Sequence, residues 1–179
     1  NVMVARTSFL LMLIQNAIQC GYKSFGRDIL GPGVKTYKIY GYKHEGYYEN
    51  IDSLQSFFKA NYDLLNNDIR NEIFGARDVY TKVNDSAPAK FTETSSVKNS
   101  LVSDGCYIEG TVENCILFRG VKVGKGSRLK NCIIFSENII GENCNLQYVI
   151  SDKDCFITDN RVLAGCETQP YFINKGTRI

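Results

Sequence analysis

The sequence predicts a mainly β protein in which a parallel β-helix of hexapeptide repeats follows an α/β segment. Two observations lead to this prediction. First, Val112–Phe118 returns 17 residues later as Leu129–Phe135. Second, within one copy an aliphatic residue recurs six positions on, as Leu129 follows Val123. Three hexads would make a coil of about 18 residues, so a period of 17 indicates one shortened corner in each coil.

The repeat extends on both sides of these two copies. Val97–Val102 precedes them and Leu146–Ser151 follows, while an offset series runs from Val123–Ser127 to Ile140–Cys144. One coil cannot bury its aliphatic residues alone, so the coils must stack. The expected inward columns are Val112, Leu129 and Leu146 in one, and Val123, Ile140 and Ile157 in the other. An antiparallel sandwich with coincidental spacing is the alternative, and the fixed offset disfavours it.

Small and flexible residues recur at the predicted corners of the coils. The corner residues that suit turns with positive φ are Gly124, Gly126, Gly141 and Asn143. Two stacked columns of small residues are also expected, Cys115 over Cys132 and Ser127 over Cys144. The apolar run Tyr171–Ile173 is too large for a disordered end, and we expect it to cap the solenoid.

Upstream of the repeat, the sequence predicts both helices and strands. Hydrophobic spacing and terminal residues predict, in chain order, a strand at Val2–Val4, a helix capped by Thr7 and ended by Gly21, a short helix at Lys23–Leu30 closed by Gly31–Gly33, a strand at Val34–Tyr40, and a helix capped by Ser53. Residues 66–96 contain few apolar runs and are predicted to be a connector.

The composition excludes several classes of function. Lys and Arg total 21 against 19 Asp and Glu, a net charge of +2, so nucleic acid and membrane surfaces are not expected partners. The most apolar run, Phe9–Ile14, is far shorter than the roughly 20 residues of a spanning helix. The seven cysteines include no CxxC pair and are expected to be reduced core residues of a cytoplasmic protein. His44 is the single histidine, which disfavours a histidine-dependent acyltransferase.

The segment Gly46–Ser53, followed by a helix with Ala60-Asn61 and Leu64-Leu65, resembles ADP-glucose pyrophosphorylase (glucose-1-phosphate adenylyltransferase). In that family a Gly-Tyr-Trp-x-Asp-Ile/Val-Gly-Thr segment leads into such a helix, and a left-handed β-helix follows. Residues 34–179 carry the resemblance. It implies that residues 1–80 hold the end of a nucleotidyltransferase domain, residues 81–96 connect, and residues 97–179 form the β-helix. No Gly-rich phosphate-binding loop occurs in these residues, and Asn1 is expected to be a boundary within a longer chain.

The resemblance also implies roles for single residues. Asn50 stands where the family has an Asp that helps to hold Mg²⁺, and an amide weakens such a site. This substitution resembles the non-catalytic GlgD-type subunit; the alternative is that Asn50 caps the following helix. Tyr47 and Tyr48 would line the sugar pocket by position, with simple packing as the alternative. Lys175 and Arg178 would bind an anionic effector, with a solvated surface as the alternative.

By resemblance, the whole enzyme converts ATP and glucose 1-phosphate into ADP-glucose and pyrophosphate with Mg²⁺, in glycogen biosynthesis. We expect this chain to be part of a regulatory subunit without catalytic residues or a cofactor of its own. Its expected partners are other pyrophosphorylase subunits, in a homo- or hetero-oligomer formed through the β-helix. The alternatives are part of a catalytic sugar-nucleotide pyrophosphorylase subunit, or a β-helix interaction module of another nucleotidyltransferase-like protein.

Overall fold

The computed structural model describes residues 2–75, 79–81 and 85–179. The chain divides into two compact units, Asn1–Glu45 and Gly46–Ile179, which are described separately. None of the helices in the described ranges is long and apolar enough to cross a membrane.

The first unit is helical. It contains α1 (Thr7–Cys20), a π-helix (Phe25–Leu30) and the short α2 (Gly31–Gly33). Gly21 ends α1 as predicted, because it adopts the left-handed conformation at φ 66° that glycine tolerates. The predicted cap is wrong, since Arg6 occupies the N-cap position without a side-chain hydrogen bond and Thr7 is already helical. Gly31–Gly33 continues the helical path and does not close it.

Two predicted strands of this unit, Val2–Val4 and Val34–Tyr40, are wrong. Val2–Val4 has no regular structure, and the chain turns after Val34 and then runs on irregularly. A strand must pair its backbone N–H and C=O groups with a neighbour. Within residues 2–45 the structure contains no strand that could pair with either segment.

The second unit begins with two helices. Helix α3 (Leu54–Asp63) starts as predicted, because Ser53 accepts a hydrogen bond from the Ser56 N–H in a capping box. Helix α4 (Asn67–Phe74) lies in the stretch predicted to be a connector, so that prediction is wrong there. Asn66 caps α4 through the Asp68 N–H at 2.8 Å, which is a signal that the sequence does contain.

The remainder of the unit is a parallel β-solenoid of three five-stranded sheets. The first sheet contains β1 (Lys90–Phe91), β4 (Tyr107–Ile108), β7 (Lys122–Val123), β10 (Ile139–Ile140) and β13 (Phe156–Ile157). The second contains β2 (Ser96–Lys98), β5 (Thr111–Glu113), β8 (Arg128–Lys130), β11 (Asn145–Gln147) and β14 (Val162–Ala164). The third contains β3 (Leu101–Val102), β6 (Ile116–Leu117), β9 (Ile133–Ile134), β12 (Val149–Ser151) and β15 (Tyr171–Ile173). The predicted parallel solenoid is therefore confirmed, and it already begins at Lys90.

Both predicted inward columns are confirmed. Leu129 pairs in register with Val112 on one side and Leu146 on the other. Ile140 pairs in the same way with Val123 and with Ile157 in the other column. All six side chains are buried in one core that runs along the solenoid axis. The antiparallel alternative is wrong, because every pair of neighbouring strands in these sheets is parallel.

Left-handed backbone conformations occur in columns at the corners of the coils. The residues with positive φ are Asn99, Asn114, Asn131 and Tyr148 in one column, Gly105, Gly120, Glu137 and Asp154 in a second, and Gly126, Asn143 and Asn160 in a third. The corner prediction of positive φ is thus confirmed for Gly126 and Asn143 and is wrong for Gly124 and Gly141. Gly124 is glycine for another reason, because a Cβ there would lie 2.5 Å from the Gly141 carbonyl oxygen of the next coil.

Small polar side chains connect successive coils at the corners. The Cys144 N–H donates to Ser127 Oγ at 2.8 Å, and the Cys132 N–H donates to Cys115 Sγ at 3.3 Å. Both predicted columns of small residues are confirmed, and each supplies an acceptor for a buried backbone donor. Burial raises the pKa of the Cys132 thiol. All seven cysteines are free, and five are buried; Cys20 and Cys166 are exposed, so the core prediction is wrong for those two.

Replacing Ser127 with Ala should lower the free energy of unfolding by about 1–3 kcal/mol, because the buried Cys144 N–H would lose its acceptor. Ser127→Cys is the matched control. Cys144 donates its own thiol to the Thr158 carbonyl at 3.1 Å, as Ser127 donates its hydroxyl to the Gly141 carbonyl at 2.6 Å. Urea denaturation measures both variants. An equal loss of stability in Ser127→Ala and Ser127→Cys would show that an acceptor for the Cys144 N–H does not stabilise the solenoid.

The carboxyl-terminal end of the solenoid is not capped by Tyr171–Ile173 alone, as predicted, but by two segments. Tyr171–Ile173 is β15, the last strand of the third sheet, and pairs with β12. The last residues instead run beside β13. The Phe156 N–H donates to the Thr177 carbonyl at 2.9 Å, and the Thr158 N–H donates to the Ile179 carbonyl at 2.7 Å. The edge of the first sheet is therefore covered by these last residues.

Candidate functional site

The segment Gly46–Asn50 is extended, and its side chains alternate between two environments. Tyr47 and Glu49 are half-buried, whereas Tyr48 and Asn50 are exposed. This is the period of two expected of extended backbone. The two tyrosines that were predicted to line one pocket therefore lie on different sides of the segment, and Tyr48 is on the same exposed side as Asn50.

Tyr47 is held by carboxylates of the two helices that follow it. Its hydroxyl donates to Asp63 Oδ2 at 2.9 Å, and its N–H donates to the Glu72 carboxylate. Burial and the hydrogen bond to Asp63 raise the pKa of Tyr47 to about 12, so the phenol stays neutral in the physiological range. These contacts favour the packing interpretation for Tyr47.

Lys59 of α3 forms a charged cluster with Asp63 of the same helix and with Glu49 on the half-buried side of the segment. Its ammonium forms ion pairs with the Glu49 carboxylate and, at 3.1 Å, with Asp63 Oδ2. Hydrogen bonds to these two carboxylates raise the pKa of Lys59. This cluster is not among the features predicted from the sequence, although the spacing of Lys59 and Asp63, four residues apart on one helix, is a recognisable signal.

The surroundings of Asn50 do not fit Mg²⁺. Its side-chain amide donates to Asp52 Oδ2 at 3.1 Å, and both residues are exposed. In the described parts of the chain, no three or more His, Cys, Asp or Glu side chains lie together as metal ligands would. Asn50 also does not cap α3, since Ser53 is the N-cap. One amide beside one carboxylate lacks the anionic ligands that Mg²⁺ prefers.

Lys175 and Arg178 both lie beside the end of the first sheet. Lys175 Nζ is 3.6 Å from Asp154 Oδ2, and the Arg178 guanidinium stacks 4.8 Å from the centre of the Phe156 ring. Both cations are thus engaged with β13 or its preceding corner. An anionic effector would have to compete with Asp154 for Lys175.

Stacked 17-residue coils that close three parallel sheets define a hexapeptide-repeat solenoid protein. Residues 87–169 match a family model described as GlmU-like, C-terminal hexapeptide. Over 98% of its length the chain is 40% identical to the glycogen biosynthesis protein GlgD of Bacillus subtilis. It is also 40% identical over 78% of its length to GlgD of Geobacillus stearothermophilus. Over 80% of its length it is 30% identical to glucose-1-phosphate adenylyltransferase of Fervidobacterium nodosum.

These matches confirm the resemblance first seen in Gly46–Ser53. The chain is a relative of the GlgD and glucose-1-phosphate adenylyltransferase proteins. It spans about half the length of the two GlgD relatives, 51% and 48%, and 34% of the Fervidobacterium adenylyltransferase.

Proposed function

We propose that this chain is part of a non-catalytic, regulatory subunit of a cytoplasmic glucose-1-phosphate adenylyltransferase in glycogen biosynthesis. Residues 1–80 would hold the end of its nucleotidyltransferase domain, and the solenoid would be its assembly module. The observation that carries the proposal is Asn50, which stands where the motif of the resembling family has a metal-binding Asp and which directs its amide to Asp52. The 40% identity to GlgD over nearly the whole chain supports it.

The chemistry of the reaction explains why Asn50 is informative. Transfer of an adenylyl group from ATP to glucose 1-phosphate develops negative charge on phosphate oxygens, and a divalent cation with basic side chains stabilises that charge. The neutral amide of Asn50 would hold a divalent cation more weakly than a carboxylate, and Lys59 is already paired with two carboxylates. In this proposal the Mg²⁺ and the catalytic groups belong to a partner subunit.

The chain by itself should form no ADP-glucose from ATP, glucose 1-phosphate and Mg²⁺, measured by chromatography of the nucleotide products. Asn50→Asp should not create activity, because one added carboxylate does not complete a metal site here. A purified catalytic adenylyltransferase serves as the positive control in the same assay. Turnover that co-purifies with the chain through every column would contradict the proposal.

The two ends of the solenoid differ in exposure, and this difference supports the amino-terminal end as the place for another subunit. At the amino-terminal end, Phe91 and Val97 are the first residues of the two inward columns, in register with Ile108 and Val112. They are nevertheless 49% and 37% exposed. One coil further on, Ile108 and Val112 are completely buried in the same columns. The strands β1, β2 and β3 are edge strands, whose backbone groups on one side can pair with another chain.

We therefore expect self-association through the amino-terminal end of the solenoid, with at least about 1,000 Å² buried. Light scattering at micromolar concentration should give a mass above 20.2 kDa that rises with concentration. Val97→Lys should shift the chain to a monomer, because it places a charge on the open apolar end. Val162→Lys is the matched control, since Val162 is an exposed valine on β14 at the other end. If the wild type were monomeric at all concentrations, self-association would be excluded, and the partner of this end would have to be a different subunit.

A further inference from the structure

Helix α3 has two contact faces that serve different parts of the second unit. Phe58 and Tyr62, one helical turn apart, face the third sheet of the solenoid. Lys59 and Asp63, also one turn apart, face the Gly46–Asn50 segment. The two pairs are offset by one residue, which rotates them by about 100° around the helix. One helix thus contacts both the solenoid and the segment.

The solenoid side of α3 is an aromatic cluster on the outer surface of the third sheet. Phe58 is 2% exposed and packs with Ile133 of β9 and Ile150 of β12. Its ring centre lies 5.6 Å from that of Tyr62 and 5.9 Å from that of Tyr148. These rings remove a large apolar area from water and fix the position of the helix.

Tyr148 is the exception in its corner column. The preceding members are Asn99, Asn114 and Asn131, and asparagine tolerates the left-handed conformation. Tyr148 adopts φ 50°, which is strained for a bulky side chain. Such strain persists where the surrounding structure requires it. At this corner the Tyr148 ring packs against the Phe58 ring, a contact that an asparagine could not make.

The asparagine column ends in a hydrogen bond to α3. Asn114 donates its amide to Asn131 Oδ1 at 3.3 Å, and the Tyr62 hydroxyl donates to the same oxygen at 3.3 Å. The Asn131 oxygen therefore accepts two hydrogen bonds, one from the preceding asparagine of the column and one from Tyr62 of the helix. The corner of the solenoid and the helix share one polar network as well as the aromatic cluster.

We propose that Tyr148 and Asn131 are positioning residues that hold α3 against the solenoid, and that α3 through Asp63 and Lys59 holds the segment carrying Tyr48 and Asn50. A helix of 10 residues is marginally stable in water by itself, so loss of its contacts with the third sheet unfolds α3, separates Asp63 from the Tyr47 hydroxyl and so releases the segment. The coupling is reciprocal, because a free-energy coupling between two contacts acts in both directions. The proposal goes beyond the proposed function and holds whether or not the parent subunit is catalytic.

Tyr148→Asn is the variant that tests this coupling. Asparagine suits the left-handed corner, so the coils should stay folded while the contact with Phe58 disappears. NMR-detected hydrogen exchange should show a loss of protection of about tenfold or more in α3. In the same sample the pKa of Tyr47, followed by its ring signals, should fall from about 12 toward the ordinary value of 10.0. Protection within the core strands β8 and β11 should be unchanged.

Two further variants make the result decisive. Tyr107→Asn removes a tyrosine from the first sheet, whereas α3 packs on the third. It should leave the protection of α3 and the pKa of Tyr47 unchanged. Tyr62→Phe removes only the hydrogen bond to Asn131 and serves if Tyr148→Asn does not fold; it should shift the Tyr47 signals in the same direction by a smaller amount. Loss of protection in α3 with an unchanged pKa of Tyr47 would overturn the proposal.

Discussion

Replacing Leu129 with Ala is expected to lower the free energy of unfolding of the solenoid by about 2–5 kcal/mol. Leu129 is 1% exposed and lies in the middle of its column, between Val112 and Leu146. The lost transfer free energy adds to the energy of the cavity that remains. Backbone hydrogen bonds to both neighbouring strands hold β8 in place, so the coils cannot close around the gap.

Urea denaturation followed by circular dichroism measures this loss. Arg128→Ala is the matched control, since Arg128 is the exposed neighbour of Leu129 on the same strand and its truncation should change stability by less than about 0.5 kcal/mol. If both variants unfolded at the same urea concentration as the wild type, Leu129 would not be part of a stacked core.

Phe58→Ala is expected to destabilise the second unit by about 3–5 kcal/mol, the range for a large buried aromatic side chain. Phe58 contributes the most buried ring of the cluster between α3 and the third sheet. Without it, Ile133 and Ile150 would become partly exposed to water, because they are on the outer surface of the sheet and outside the solenoid core. Part of the loss should appear as separation of α3 from the coils.

Gln55→Ala, at an exposed position of the same helix, is the control for changes in helix propensity. Denaturation curves give the total loss, and binding of a hydrophobic dye reports the uncovered face of the third sheet. Stability close to that of the wild type, without dye binding, would mean that α3 does not protect this face.

Local sequence signals were sufficient where the structure depends on neighbouring residues or on a repeat. The 17-residue period predicted the parallel solenoid and the columns of Leu129 and Ile140, because a stacked coil repeats its environment at a fixed offset. Ser53 and Gly21 marked helix ends correctly, since a cap depends on groups within one turn. The family resemblance in Gly46–Ser53 likewise required only the linear motif.

Long-range contacts decided the remaining features. A strand pattern at Val34–Tyr40 says nothing about a partner strand, and in the described part of its unit the segment is not a strand. The charged cluster of Lys59 with Glu49 and Asp63 depends on how an extended segment lies against a helix. The tyrosine at the Tyr148 corner is explained only by Phe58, some 90 residues earlier in the chain. The inward-facing residues can be identified from the sequence, because they follow from the 17-residue period. Which outward-facing residues are covered depends on the packing of distant segments, and only the folded structure shows it.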